Sequence, residues 1–133
     1  MSNKLVGNQA EQFVYQLLVK QGFMGEIIQT KMRLARIRGR VVQVPDKGTK
    51  LGDIIGVWCA RATLIEVKDH NEELFQYSVL KRHQHAALKK WKEKEGTSYI
   101  GWIRGGALCL IDYPLDWLPR ASLSWRDYAQ FPG

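Results

Sequence analysis

Asp53, Glu66 and Lys68 stand in one stretch of the chain, from Gly52 to Lys68. Two apolar, β-branched runs make up that stretch, and the pattern predicts a β-hairpin with its tight connection at Ala60-Arg61. Side chains alternate across a strand, so Leu64, Glu66 and Lys68 share one face while Thr63, Ile65 and Val67 share the other. A carboxylate and an ammonium therefore project into the same space. Asp53, opening the partner strand, brings a second carboxylate to that corner. Hard anionic oxygens beside a cation, on rigid strands, suit a Mg²⁺ site for attack on phosphate. The plainer reading is an exposed strand face that happens to carry charges.

The neighbouring elements favour the first reading. Residues 6 to 21 place Ala10, Phe13, Val14, Leu17 and Leu18 on one helical face, and Gly22 stops the run. On that wheel Glu11 lies about 20° from Leu18, at the edge of the buried face, where a carboxylate is costly unless a cation meets it. A second helix is predicted from Leu80 to Trp91, with the stripe Leu80, Gln84, Ala87, Leu88 and Trp91. Gln84 is polar inside that stripe, either hydrogen-bonded within the core or turned to a site. Both exceptions come from helices that should flank the sheet carrying Asp53, Glu66 and Lys68, so a shared polar site accounts for them together.

Tyr99 to Ile103 and Ala107 to Ile111 form a second predicted hairpin around Gly105-Gly106. Between the first helix and the first hairpin, residues 27 to 44 hold two apolar-basic stretches, Ile27 to Ile37 and Arg40 to Val44, turned around Gly39. Pro45 to Thr49 is loop chemistry. The basic hairpin supplies Lys31, Arg33, Arg36, Arg38 and Arg40. In an extended strand Arg36, Arg38 and Arg40 would share a face and suit phosphate contact, unless they are ordinary surface charge. Lys81, Lys89, Lys90, Lys92 and Lys94 read as a solvated helix face. The tail from residue 114 to 133, with Trp117, Trp125, Tyr128 and Phe131, is expected to pack across the domain or against a partner.

The 133 residues are long enough for one domain with a real core and too short for two. Hydrophobic residues at 45% and charged residues at 25% describe an ordinary globular protein and exclude a disordered one. A net charge of +7 favours an anionic partner such as nucleic acid. No apolar run reaches the roughly 18 residues of a membrane span, and Met-Ser-Asn-Lys does not begin a signal peptide, so a cytoplasmic protein with no membrane partner is expected. Cys59 and Cys109 are expected as buried thiols. His70, His83 and His85 lack a ligand set for zinc.

The Asp-x12-Glu-x-Lys arrangement resembles the PD-(D/E)XK nuclease superfamily. Gly7-x-x-x-Glu11, Gly48-Thr49 before Asp53, Glu66-Val67-Lys68 and His83-Gln84 in that order resemble the Holliday-junction resolvases, RecU and the archaeal-type Hjc enzymes, over about residues 7 to 111. The resemblance implies an α/β, restriction-endonuclease-like fold with a central mixed β-sheet flanked by helices. It implies a Mg²⁺-dependent endonuclease (Mn²⁺ substituting) that acts on four-way junctions as a homodimer. Glu11, Asp53, Glu66 and the Val67 carbonyl would serve the metal. Lys68 would support the attacking water, and Thr49 and Gln84 would complete the site. Two departures stand out: Gly52 replaces the superfamily's proline, and Thr49 stands four residues before Asp53. The run Gly48 to Ile55 with Glu66-Val67-Lys68 and Gln84 also looks like the VRR-NUC nucleases, which include flap-type enzymes. The contrasting class is a non-catalytic DNA-binding module of the same fold, against which the intact Asp53, Glu66 and Lys68 set argues.

Overall fold

The computed structural model describes residues 7–29, 32–45 and 50–132. Helix α1 (Gly7–Lys20) buries Ala10, Val14 and Leu18, the stripe its spacing predicts. It ends at Gly22, whose φ of +91° closes the last turn. Strand β1 (Met24–Ile27) follows and pairs antiparallel with β4 (Ile54–Trp58). Gly25 and Gly56 are direct partners in that pairing, and the Phe23 ring lies over both where a Cβ would stand.

Strand β4 turns into β5 (Arg61–Asp69) through Cys59 and Ala60, both left-handed at φ +53° and +64°. Two positive φ values match the twist of a two-residue hairpin. The turn therefore sits one residue earlier than the expected Ala60-Arg61. The expected buried thiol at Cys59 is also corrected: the turn exposes Cys59, whereas Cys109 is buried as expected. From β5 the chain passes through β6 (Leu74–Gln76), a 3₁₀ turn at Tyr77–Val79 and helix α2 (Arg82–Glu93) to β7 (Thr97–Arg104). Helix α2 begins two residues later than expected, because Lys81 is its N-cap and Leu80 is extended. β7 runs parallel to β5, and β8 (Ala107–Asp112) returns antiparallel after Gly105-Gly106.

The central sheet has the order β1-β4-β5-β7-β8 and is mixed, since only β5 and β7 are parallel. One helix covers each face. Ile65 and Val67 join Ala10, Val14 and Leu18 of α1 in one core, while Leu64 joins Leu88 of α2, Ile100 and Trp102 in the other. The alternation expected along β5 is thus realised, and it puts Glu66 on the α2 side. The expected α/β architecture, a central mixed sheet flanked by helices, is the one found.

Two regions differ from expectation. The stretch from Ile27 to Ile37 is not one strand: Ile27 ends β1 in the central sheet, and the basic hairpin is a separate ribbon of β2 (Met32–Ile37) and β3 (Arg40–Pro45). The tail folds back on the domain. Its strand β9 (Ser122–Ser124) pairs with β6, Trp117 is buried in the α2-side core, and Trp125 packs edge-on against Trp102 at 5.0 Å. Among the described residues no helix is long and apolar enough to cross a membrane.

Candidate active site

Asp53 is held by backbone before its side chain does anything. Its N–H donates to the Ile65 carbonyl of β5 at 3.0 Å, and its carbonyl accepts from Ile28 N–H just past β1 at 2.8 Å. Gly52 before it lies where an added Cβ would stand 2.7 Å from Cδ1 of buried Leu64. The Leu64 side chain fills the space beside this position, which accounts for glycine here. The Asp53 side chain then turns inward, and Oδ2 accepts the Val67 N–H at 2.7 Å. Oδ1 is left for the site.

Glu66 comes from the neighbouring strand and is only 4% exposed, with Asp53 at 5%. Gln84 reaches it from α2: its Nε2 donates to Glu66 Oε1 at 2.7 Å. The amide cannot flip, because its Oε1 already accepts the Lys81 N–H at 2.8 Å in a cap of α2. Helix α2 is itself anchored by buried His85. Nε2 donates to the Tyr77 carbonyl at 2.7 Å, so neutral His85 accepts the Tyr113 hydroxyl at Nδ1, also at 2.7 Å. The Tyr77 ring stacks on the imidazole at 3.7 Å. Burial lowers the His85 pKa, in keeping with a neutral ring.

The crowding has an electrostatic result. Burial first, and then the charge of Asp53, push Glu66 up to about 9, against the smaller opposing pull of Lys68 and Lys50. Glu11 of α1 is raised in the same sense, by burial and then by Asp53. Lys50 enters from the other side. Its ammonium lies 2.9 Å from Asp53 Oδ1 and 3.3 Å from Glu11 Oε1. Another negative charge is thus costly in this site, and Glu66 keeps its proton near neutral pH. Asp53 and Glu66 are hard oxygen donors of the type that hold divalent cations. Among the described residues no group of three His, Cys, Asp or Glu side chains is disposed to hold an ion.

Of the expected residues, Glu11, Asp53, Glu66 and Gln84 converge at one end of β4 and β5, and Lys68 follows on the same strand face as Glu66. Thr49 and Lys31 lie outside the described residues, and Arg33 is placed only by its register opposite Val44. The expectation that Arg36, Arg38 and Arg40 share a face is corrected. Arg38 and Gly39 form the turn at φ +52° and +77°. Arg36 then pairs with Val41 and Arg40 with Ile37, which puts the two guanidiniums on opposite faces of the ribbon. Lys50 was not anticipated. It stands three residues before Asp53 but 39 after Glu11, and only the fold joins them.

No family model matches the chain, and no curated sequence does. Solved structures do match. Hjc of Archaeoglobus fulgidus, a Holliday junction resolvase from an archaeal hyperthermophile, superposes with a TM-score of 0.61. The match covers 92% of this chain and 91% of that one, at 17% identity. This chain has the Hjc fold. A structure described as SSO0001 matches more loosely, with a TM-score of 0.43 and 16% identity over 84% of this chain and 52% of the other. At such identity the likeness to Hjc speaks for the arrangement of helices and strands. The roles of individual side chains rest on the geometry above.

Proposed function

We propose that the protein is a divalent-metal-dependent DNA endonuclease that resolves four-way junctions, cutting a symmetric pair of strands as a homodimer. The observation that carries this reading is the buried Asp53–Glu66 pair, braced by Val67 N–H and Gln84, at one end of two inner strands of a sheet with the fold of a junction resolvase. Two buried carboxylates without full compensation are costly to keep. A cation site repays that cost.

Mg²⁺, or Mn²⁺ in its place, would be held by Asp53, Glu66 and the Val67 carbonyl, and when bound it acidifies water and offsets charge on the phosphate. The chain's own residues do the rest. Gln84 fixes which Glu66 oxygen faces the site. Val67 N–H fixes Asp53, so both carboxylates are presented without reorganisation. Lys68, on the Glu66 face of β5, orients the attacking water and steadies the charge that develops on phosphate.

The ribbon of β2 and β3 carries Arg36 on one face, Arg40 on the other and Arg38 at its tip. Cations on both faces suit a ribbon placed between two duplex arms better than one lying flat on a single duplex. Lys31 and Arg33 would extend the same contact to phosphates. A two-fold junction cut at paired positions suits a two-fold enzyme.

The test is to give the protein labelled four-way junction, flap and linear duplex of equal length in Mg²⁺ and to map the cuts. Paired, symmetric nicks in the junction, with slower cutting of the flap, are expected. Preferential cutting of one strand at the flap would replace the resolvase reading with that of a flap-type nuclease.

A further inference from the structure

Lys50 has no role in the chemistry proposed above, yet its ammonium is in contact with the Asp53 carboxylate. Its ammonium touches three oxygens: Asp53 Oδ1 at 2.9 Å, Glu11 Oε1 at 3.3 Å and the Ile28 carbonyl at 3.4 Å. We infer that Lys50 is an internal counter-ion, which occupies the Asp53 oxygen in the metal-free protein and withdraws onto Glu11 when a divalent cation arrives. The inference rests on the reading of Asp53 and Glu66 as a metal site.

The geometry favours displacement over a fixed strut. Oδ2 of Asp53 is committed to the Val67 N–H, so Oδ1 is the oxygen turned to the site, and Lys50 holds it. A divalent cation on that oxygen and an ammonium 2.9 Å from it would be like charges within a few ångströms, which repel strongly in a site with little water. The side chain that yields is the most solvated of the three in this contact. Lys50 is 29% exposed, against 8% for the Asp53 side chain. Its retreat is also cheap. Glu11 and the Ile28 carbonyl lie on the same ammonium, so leaving Asp53 forfeits one of three contacts and needs no unpaired charge at any stage.

Glu11 gains a definite part from this. It sits on α1, beneath the opposite face of the sheet from α2, where its carboxylate meets both the Lys50 ammonium and the Asp53 carboxyl. In this account it is a positioning residue, the second seat of the lysine, and contributes no oxygen to the metal.

Mn²⁺ binding to the full chain without DNA, followed by electron paramagnetic resonance of the free ion, separates the possibilities. Lys50→Met should bind Mn²⁺ about five- to tenfold tighter than wild type, since the competing ammonium is gone. Its melting temperature in EDTA should fall and recover on adding Mn²⁺, because Asp53 and Glu11 then face each other uncompensated. Glu11→Gln should weaken Mn²⁺ binding in the wild type by leaving Lys50 no second seat. In the Lys50→Met background the same change should do nothing. Circular dichroism checks each fold, and Lys50→Gln repeats the measurement with a polar side chain.

Wild-type Mn²⁺ binding that is unimproved in both Lys50 variants makes the lysine a strut and overturns the inference alone. Weakening by Glu11→Gln in the Lys50→Met background makes Glu11 a direct ligand and overturns the handover. No Mn²⁺ binding by any variant removes the metal reading, and this inference with it.

Discussion

Replacing Glu66 by Gln should stabilise the metal-free protein, and by more as the pH rises. Glu66 is 4% exposed, and burial and the Asp53 charge push its pKa from 4.5 to about 9. In the unfolded chain the carboxyl gives up its proton near the ordinary value, whereas in the folded chain it keeps it. Between those two values the folded state binds more protons than the unfolded one, so wild-type stability falls as pH climbs through that window. At about 1.4 kcal/mol per pH unit, the penalty is between about 1 and 2 kcal/mol at pH 5.5 and between about 4 and 5 kcal/mol at pH 8. Gln has the same shape, accepts the Gln84 amide N–H through its own oxygen and carries no such cost. Urea unfolding in EDTA at the two pH values should therefore show the advantage of Glu66→Gln growing by roughly 3 kcal/mol between them. A difference that does not change with pH would refute the argument. It would mean that Lys50 and Lys68 already balance an ionised Glu66 in the folded protein.

Two further outcomes test other parts of the structure. Changing Arg36, Arg38 and Arg40 together to Ala should weaken DNA binding and reduce the slope of log affinity against log salt by about 2 to 3, as fewer counterions are released; an unchanged slope would place the footprint elsewhere. Gly52→Ala puts a Cβ 2.7 Å from Cδ1 of buried Leu64, and urea titration should show a loss of about 1–3 kcal/mol, with a neutral result meaning that Leu64 repacks freely.

The parts of the site legible in the sequence are those fixed by local periodicity. Alternation along β5 is enough to put Glu66 and Leu64 on one face and Val67 on the other. Polar exceptions in two helical stripes point to Glu11 and Gln84, because a carboxylate or amide inside an apolar face needs a partner. What was not legible depends on turns and long-range pairing. Cys59 and Ala60 both adopt left-handed backbone without being Gly or Asn, so their types did not mark the turn. Extending the strand pattern through Arg38 put three arginines on one face, whereas the turn there sends Arg36 and Arg40 to opposite faces. β1 joins the central sheet because Gly25 and Gly56 let two backbones meet under Phe23, and periodicity does not show a close approach between distant segments. Lys50 gave no signal of its own. A lysine after a loop reads as solvent-facing until α1 is packed against the start of β4.

The central claim is that Asp53 belongs to a metal-dependent cleavage centre and not to a charged surface. Asp53→Asn removes the anionic oxygen but keeps the shape and the acceptor for Val67 N–H, so the fold should persist. Cleavage and binding of one labelled four-way junction, measured on the same preparation in Mg²⁺, give the most direct reading. Loss of cleavage with junction binding retained, or tightened through reduced repulsion from phosphate, is the expected result. Cleavage at the wild-type rate by well-folded Asp53→Asn would contradict it.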